Sequence, residues 1–232
     1  MCIPLKTMRM MCQRSRFDQF RQRASRYLAI VLPAVLVSCE NDVANVKASV
    51  LRDGHNENPN EVITTVKLTF TPSNGDAPIE ALWSDPGLSG SPRIDGITLL
   101  NGLSYILRVE VHNELEDPVE DITPEIFDEL DEHQLFYFGN AIVGPSNQSN
   151  PDAVLEHFYD DSDSNGLPVG LRNTFVAKGT GVGVMGVLMQ HMPMLNGTLI
   201  KEDDLEALMN DQGKEFLPGS SDFLVEFNVV VQ

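Results

Sequence analysis

Two segments of this 232-residue chain put imidazoles beside other ligand-type side chains. His133 stands in Asp131-Glu132-His133-Gln134, and His191 stands in Met189-Gln190-His191-Met192-Pro193-Met194. Imidazole nitrogen, carboxylate oxygen and thioether sulfur are suitable donors for zinc or copper. The candidate ligands are His133, His191 and Glu132, with the methionines as further donors. Spacing does not join the two segments, since the chain has no His-x-His or His-x₃-His pair. On a strand, Met189 and His191 fall on one face and Met192 on the other, so only some of these side chains could share an ion. The competing reading has methionines filling the core and each histidine held by one hydrogen bond.

A second candidate is oxygen-based. Asp161-x-Asp163-x-Asn165-Gly166 matches the opening of a calcium loop, where alternate oxygen side chains converge and glycine permits the sharp turn. The loop's closing acid is missing, because its twelfth position is Arg172, which would repel the cation. Asp160 or a distant carboxylate would have to substitute. A solvated turn of Asp, Ser, Asn and Gly explains the same residues. The cofactor question thus stands between calcium, zinc or copper, and none.

The remaining chemistry-bearing residues read as structural. His112 falls on the polar face of a strand, His55 in a polar linker, and His157 at a half-exposed position. Trp83 is expected in the core, with a surface anchor for sugar or protein as its alternative. Gly179-Thr180-Gly181-Val182-Gly183 lacks the lysine and helix of a phosphate loop and reads as a glycine-rich hairpin. No Ser-His-Asp arrangement, nucleophile elbow or carboxylate pair can be argued, so no catalytic residue is assigned and the chain reads as a non-enzyme.

Charge and cysteines say where such a protein works. Residues 1–38 carry seven Lys or Arg against one acid, Asp18, whereas residues 39–232 carry nine bases against 33 acids. That acidity argues against nucleic acid, whose phosphates need clustered Lys and Arg. The basic leader runs into Tyr27-Leu28-Ala29-Ile30-Val31-Leu32-Pro33-Ala34-Val35-Leu36-Val37, the layout of a secretory signal. An apolar run of about eleven residues is too short for the roughly 20 that a spanning helix needs. Leu36-Val37-Ser38-Cys39 looks like the lipobox of bacterial lipoproteins. The resemblance implies cleavage before Cys39, lipidation of its thiol and acylation of the new amine, hence a palmitate-type membrane anchor. Because the other cysteines, Cys2 and Cys12, lie in the leader, the mature chain has no pair for a disulfide. Residues 39–60 form the acylated cysteine and a Pro-, Gly- and Asn-rich tether.

From Glu61 the pattern has period two. Val62, Val66, Leu68 and Phe70 share one face of a strand; Leu103, Tyr105, Leu107, Val109 and Val111 mark a second, and Phe223 to Val231 a third. Further strands are expected near 79–84, 135–142, 153–159, 171–177 and 181–190. Thr123-Pro124-Glu125 predicts an N-cap and a short helix over 124–132, and a second helix is expected from Glu202 to Met209, with Gly213 past its end. The expected fold is mainly β: an immunoglobulin-like β-sandwich over 61–232 with two short helices.

Four motifs recur together in this body: Glu61-Val62-Ile63-Thr64-Thr65-Val66, Asp121-Ile122-Thr123-Pro124-Glu125, Asp131-Glu132-His133-Gln134-Leu135-Phe136-Tyr137, and Asp161 through Leu171. They resemble a family of small Bacteroidota lipoproteins often labelled "type 1 periplasmic binding fold". A true periplasmic binding fold needs alternating strands and crossover helices, which this pattern lacks. The resemblance carries no functional residues. It implies an outer-membrane lipoprotein accompanying a TonB-dependent receptor. The functional expectation is a non-enzymatic ligand-binding accessory to uptake, with a metal ion among the candidate ligands. The alternative is a structural or protein/glycan interaction module displayed at the envelope.

Overall fold

The computed structural model describes residues 62–232; the signal, Cys39, His55 and the tether lie outside the described residues. The first strands are β1 (Thr65–Pro72), β2 (Ile79–Ser84), β3 (Arg93–Ile94), β4 (Ile97–Leu99), β5 (Ser104–Asn113) and β6 (Glu120–Asp121). Helix α1 (Thr123–Asp128) separates them from β7 (His133–Phe138), β8 (Ile142–Val143), β9 (Leu155–Tyr159), β10 (Arg172–Ala177) and β11 (Gly181–His191). Helix α2 (Leu205–Gln212) and a 3₁₀ turn, Lys214–Phe216, lead into β12 (Ser220–Val231).

The strands form a β-sandwich. An eight-stranded sheet runs β3-β2-β1-β5-β10-β9-β8, with β6 added beside β5, and a four-stranded sheet runs β4-β12-β11-β7. Pairing is antiparallel except for β8 with β9 and β4 with β12. The eight-to-four division is more uneven than the four-plus-three of an immunoglobulin constant domain.

Period-two alternation explains the core. Val66, Leu68 and Phe70 of β1, Leu107, Val109 and Val111 of β5, and Phe223, Val225, Phe227 and Val229 of β12 are buried in one cluster. Each such side chain contributes roughly 1.5–3 kcal/mol when removed from water. On the opposite face of β1, Lys67 pairs with Glu80 at 3.1 Å and Glu110 at 3.2 Å across its two neighbours.

Strands β7 and β11 break the half-buried rule, because both of their faces are covered. Leu135, Tyr137, Val187 and Met189 enter the main core. Phe136 and Leu188 point the other way, into a second cluster with Met192, Leu205, Met209 and Leu217. Helix α2 therefore forms a third layer over this half of the smaller sheet.

Several local expectations change. Thr123 is inside α1 and Ile122 is its N-cap, without a side-chain cap bond; the Thr123 hydroxyl instead accepts the Val111 N–H at 3.0 Å. Asp204, at φ 67°, delays α2 to Leu205, and Gly213 ends it as anticipated. The 135–142 stretch divides at Gly139, whose φ of 100° takes the chain round a corner where a Cβ would collide with the Val184 carbonyl. The 179–183 glycines are no hairpin: β10 and β11 belong to different sheets, so this link crosses the sandwich. Trp83 is half-buried and packs against the main core.

His157 is a correction of consequence. It is buried, not half-exposed, and packs against Tyr137, Tyr159 and Phe175 with ring centroids 4.6–4.9 Å away. Its Nε2 lies 3.0 Å from Asn173 Oδ1. Burial pushes its pKa down to about 4 from 6.5, although the Asn173 bond acts in the opposite direction. The unfolded chain then binds a proton in the window from about pH 6.5 to about 4 that the folded chain refuses, so stability rises with pH across that window. Denaturant titrations at a series of pH values should show about 3 kcal/mol lost from this group between those limits. His157→Gln keeps an amide donor for Asn173 and has nothing to titrate, so it should remove this share of the slope and leave the share of His133, whose pKa burial also pushes down to about 4.

Candidate metal centre

The pairing of β7 with β11 creates the site. In their antiparallel register Met189 faces Leu135, Gln190 faces Gln134 and His191 faces His133. Since residues two apart share a face, His133 and His191 lie on the core-facing side at the open end of the sandwich. Their rings stack, with centroids 4.4 Å apart and planes 10° from parallel.

His133 is almost completely buried. Its Nδ1 lies 3.1 Å from the Glu129 carbonyl oxygen. A carbonyl only accepts, so Nδ1 carries the hydrogen and the Nε2 lone pair is left for a ligand. Metal-ligating histidines commonly hold their second ring nitrogen in this way. Burial pulls the His133 pKa down to about 4, with the His191 and Lys201 charges acting in the same direction and the Glu129 bond against it. Above that pH the ring is neutral, which is the ligating form.

Carboxylates surround the pair. Ligand atoms of Glu129, His133 and His191 all lie within 4.8 Å of one another. Donors of a tetrahedral zinc ion stand about 3.4 Å apart, so an ion would have to draw these side chains together and turn the stacked rings toward it. Glu132 Oε2 is 3.7 Å from His191 Nε2, and Asp222 Oδ2 is 3.8 Å from His133 Nε2. Asp222 falls where the β11–β12 register slips between Met189 and Gln190; such a bulge re-aims a side chain. Glu129 and His191 are half-buried, which leaves a route from solvent. Two imidazoles with carboxylates suit zinc or copper, whereas calcium takes six to eight oxygens.

The structure thus joins His133, His191 and Glu132, and adds Glu129 and Asp222, which sequence reasoning missed. Glu129 reaches the site across the turn between α1 and β7, where no periodic signal exists. The methionines do not join: Met189 is in the main core and Met192 is under α2.

The calcium loop is replaced by an internal ion pair. Asp161 accepts the Gly170 and Arg172 N–H groups at 2.6 and 2.7 Å. Asp163 Oδ1 accepts those of Asn165 and Leu167, both at 2.9 Å. Its Oδ2 meets Lys201 Nζ at 2.8 Å, and both side chains are essentially inaccessible. Lys201 also donates to the Leu130 carbonyl at 2.8 Å. The lysine ammonium occupies the cationic role that the motif assigned to an ion, and Asn165 is left exposed. Burial pushes the Asp163 carboxyl up, but Lys201 and the backbone N–H groups outweigh it and hold it below its ordinary value. His112 lies 4.0 Å from Asp121, outside this cluster.

No family model, curated protein or solved structure matches the chain. Among the described residues no helix is long and apolar enough to cross a membrane.

Removing one member of a buried pair strands the other charge, which costs about 3–5 kcal/mol. Lys201→Met should lower unfolding free energy by that amount in a urea titration at neutral pH. A loss below 1 kcal/mol would mean that Lys201 does not hold the 161–171 loop.

Proposed function

We propose that this chain is an envelope-anchored binding protein that captures zinc or copper at the His133–His191 end of its sandwich. The observation that carries the reading is the convergence of Glu129 and His133, from the α1–β7 turn and the start of β7, with His191 from the end of β11. Three protein donors leave a fourth position for water or for a group on a receiving protein, an arrangement suited to capture and release. The acidic body raises the local concentration of cations around it. Cys39, at a lipobox-like site, would supply the membrane anchor. The resemblance to lipoproteins that accompany TonB-dependent receptors suggests the partner: an outer-membrane transporter to which the ion is delivered.

Isothermal titration of the purified protein with zinc chloride, and separately with a copper salt, tests the site. One ion should bind per chain, and binding should vanish in His133→Ala and His191→Ala. Glu132→Gln, which alters an outer partner of His191, should weaken it about 10–100-fold. Undiminished affinity in both histidine variants, with folding preserved by circular dichroism, would refute the proposal.

The anchor is tested separately. In a Gram-negative host the chain should fractionate with outer membrane and incorporate labelled palmitate, and Cys39→Ser should lose both properties. Palmitate incorporation that survives the substitution would place the lipid elsewhere.

A further inference from the structure

At the opposite end of β7, about 17 Å from His133 at ~3.4 Å per residue, the chain forms a cleft of about 410 Å³ between the 139–150 loop and the end of α2. One wall is the ring of Phe138, which is half-buried. That ring lies over the bare backbone of Gly186, where any Cβ would overlap it. The glycine thus fixes the ring as a flat platform whose remaining surface lines the cleft.

Three side-chain amides from the 139–150 loop also line it, each held by one end. Asn147 Nδ2 donates to the Gly139 and Ile142 carbonyls, both at 2.8 Å. Asn150 Nδ2 donates to the carbonyls of Asn140, at 2.9 Å, and Ile142, at 2.8 Å. Asn140 Oδ1 accepts the Val184 N–H at 2.6 Å. These bonds settle which way each amide points. They leave the oxygens of Asn147 and Asn150 and the nitrogen of Asn140 without a hydrogen bond among the described residues. The cleft therefore presents amide acceptors and a donor beside an aromatic surface, and Lys214 and Glu215 add a charged donor and a charged acceptor to its lining.

Such a surface matches a ligand with many hydroxyls and an apolar C–H face. Each hydroxyl both donates and accepts, so it satisfies amide oxygen and amide nitrogen alike, and the C–H face covers the ring. We propose that this cleft is a saccharide-binding site, with Phe138 as stacking platform and Asn140, Asn147 and Asn150 as hydroxyl partners. It shares no residue with the metal centre and does not depend on that reading.

The test is isothermal titration of the full chain, in a detergent without a sugar headgroup, with maltohexaose, cellohexaose, xylohexaose, mannohexaose and chitohexaose. At least one should bind, and Phe138→Ala should weaken it tenfold or more while zinc binding is unchanged. Ser149 lines the cleft, is exposed, and its hydroxyl makes no hydrogen bond among the described residues. Ser149→Trp therefore fills the cleft without touching the core, and should weaken binding by the same factor even if Phe138→Ala does not fold. Silence with every oligosaccharide, or binding that survives Ser149→Trp intact, overturns the proposal. Sugar binding in a protein that fails to bind zinc would sink the metal reading alone.

Discussion

The register between β7 and β11 is the constraint on which both candidate sites depend. Six consecutive cross-strand partners, from Gly186 with Phe138 to His191 with His133, are fixed by it. Because strand side chains alternate, a slip of one residue would exchange every inward and outward group. Here neither face can tolerate that exchange. Leu135, Tyr137, Val187 and Met189 fill the main core, while Phe136 and Leu188 fill the cluster under α2. Burial on two faces specifies the pairing twice over, and the stacked imidazoles are a by-product of that specification.

The same logic explains why the polar groups at the His133 end are so closely partnered. A three-layered region removes water from both faces of a strand, so any polar group there needs a partner. Gln134 donates to Glu206 at 2.7 Å and Gln190 to the Pro218 carbonyl at 2.8 Å. His133 uses the Glu129 carbonyl, and Lys201 uses Leu130 and Asp163. The chain from Glu129 to His133 is thereby held from both sides: by Lys201 through the Leu130 carbonyl, and by the Met192 N–H, which donates to the Glu132 carbonyl at 2.6 Å. Three candidate ligands or partners, Glu129, Glu132 and His133, sit on that clamped segment.

Legibility in the sequence follows the range of the interactions. Alternation is local, so the long strands and the mainly β class were readable, and β2 fell within its expected bounds. The two-residue strands β3, β6 and β8 carry too few alternations to register. Local capping signals misled at Thr123, whose hydroxyl is drawn into a sheet contact with Val111. The chemistry was readable as residue types but not as geometry. His133 and His191 stood out by their neighbours, yet 58 positions of chain separate them, and only sheet pairing brings them together. The Asp161 motif failed for a related reason: the cation that answers Asp163 is Lys201, too far along the chain for a short motif to contain it.

Charge bears on how an acidic body could hold the proposed cation selectively. Most of the body's excess carboxylates are exposed, and screened surface charge attracts any cation weakly. Selectivity needs donors that are dehydrated and directed. Asp161 and Asp163 are directed but already committed to backbone N–H groups and to Lys201, which removes the all-oxygen site that would favour calcium. The His133 end is different, since imidazole nitrogens there stand beside carboxylates that still reach solvent. The fold thus uses its own lysine to satisfy one acidic cluster, and the proposed ion would go to the other, whose donors prefer a transition metal.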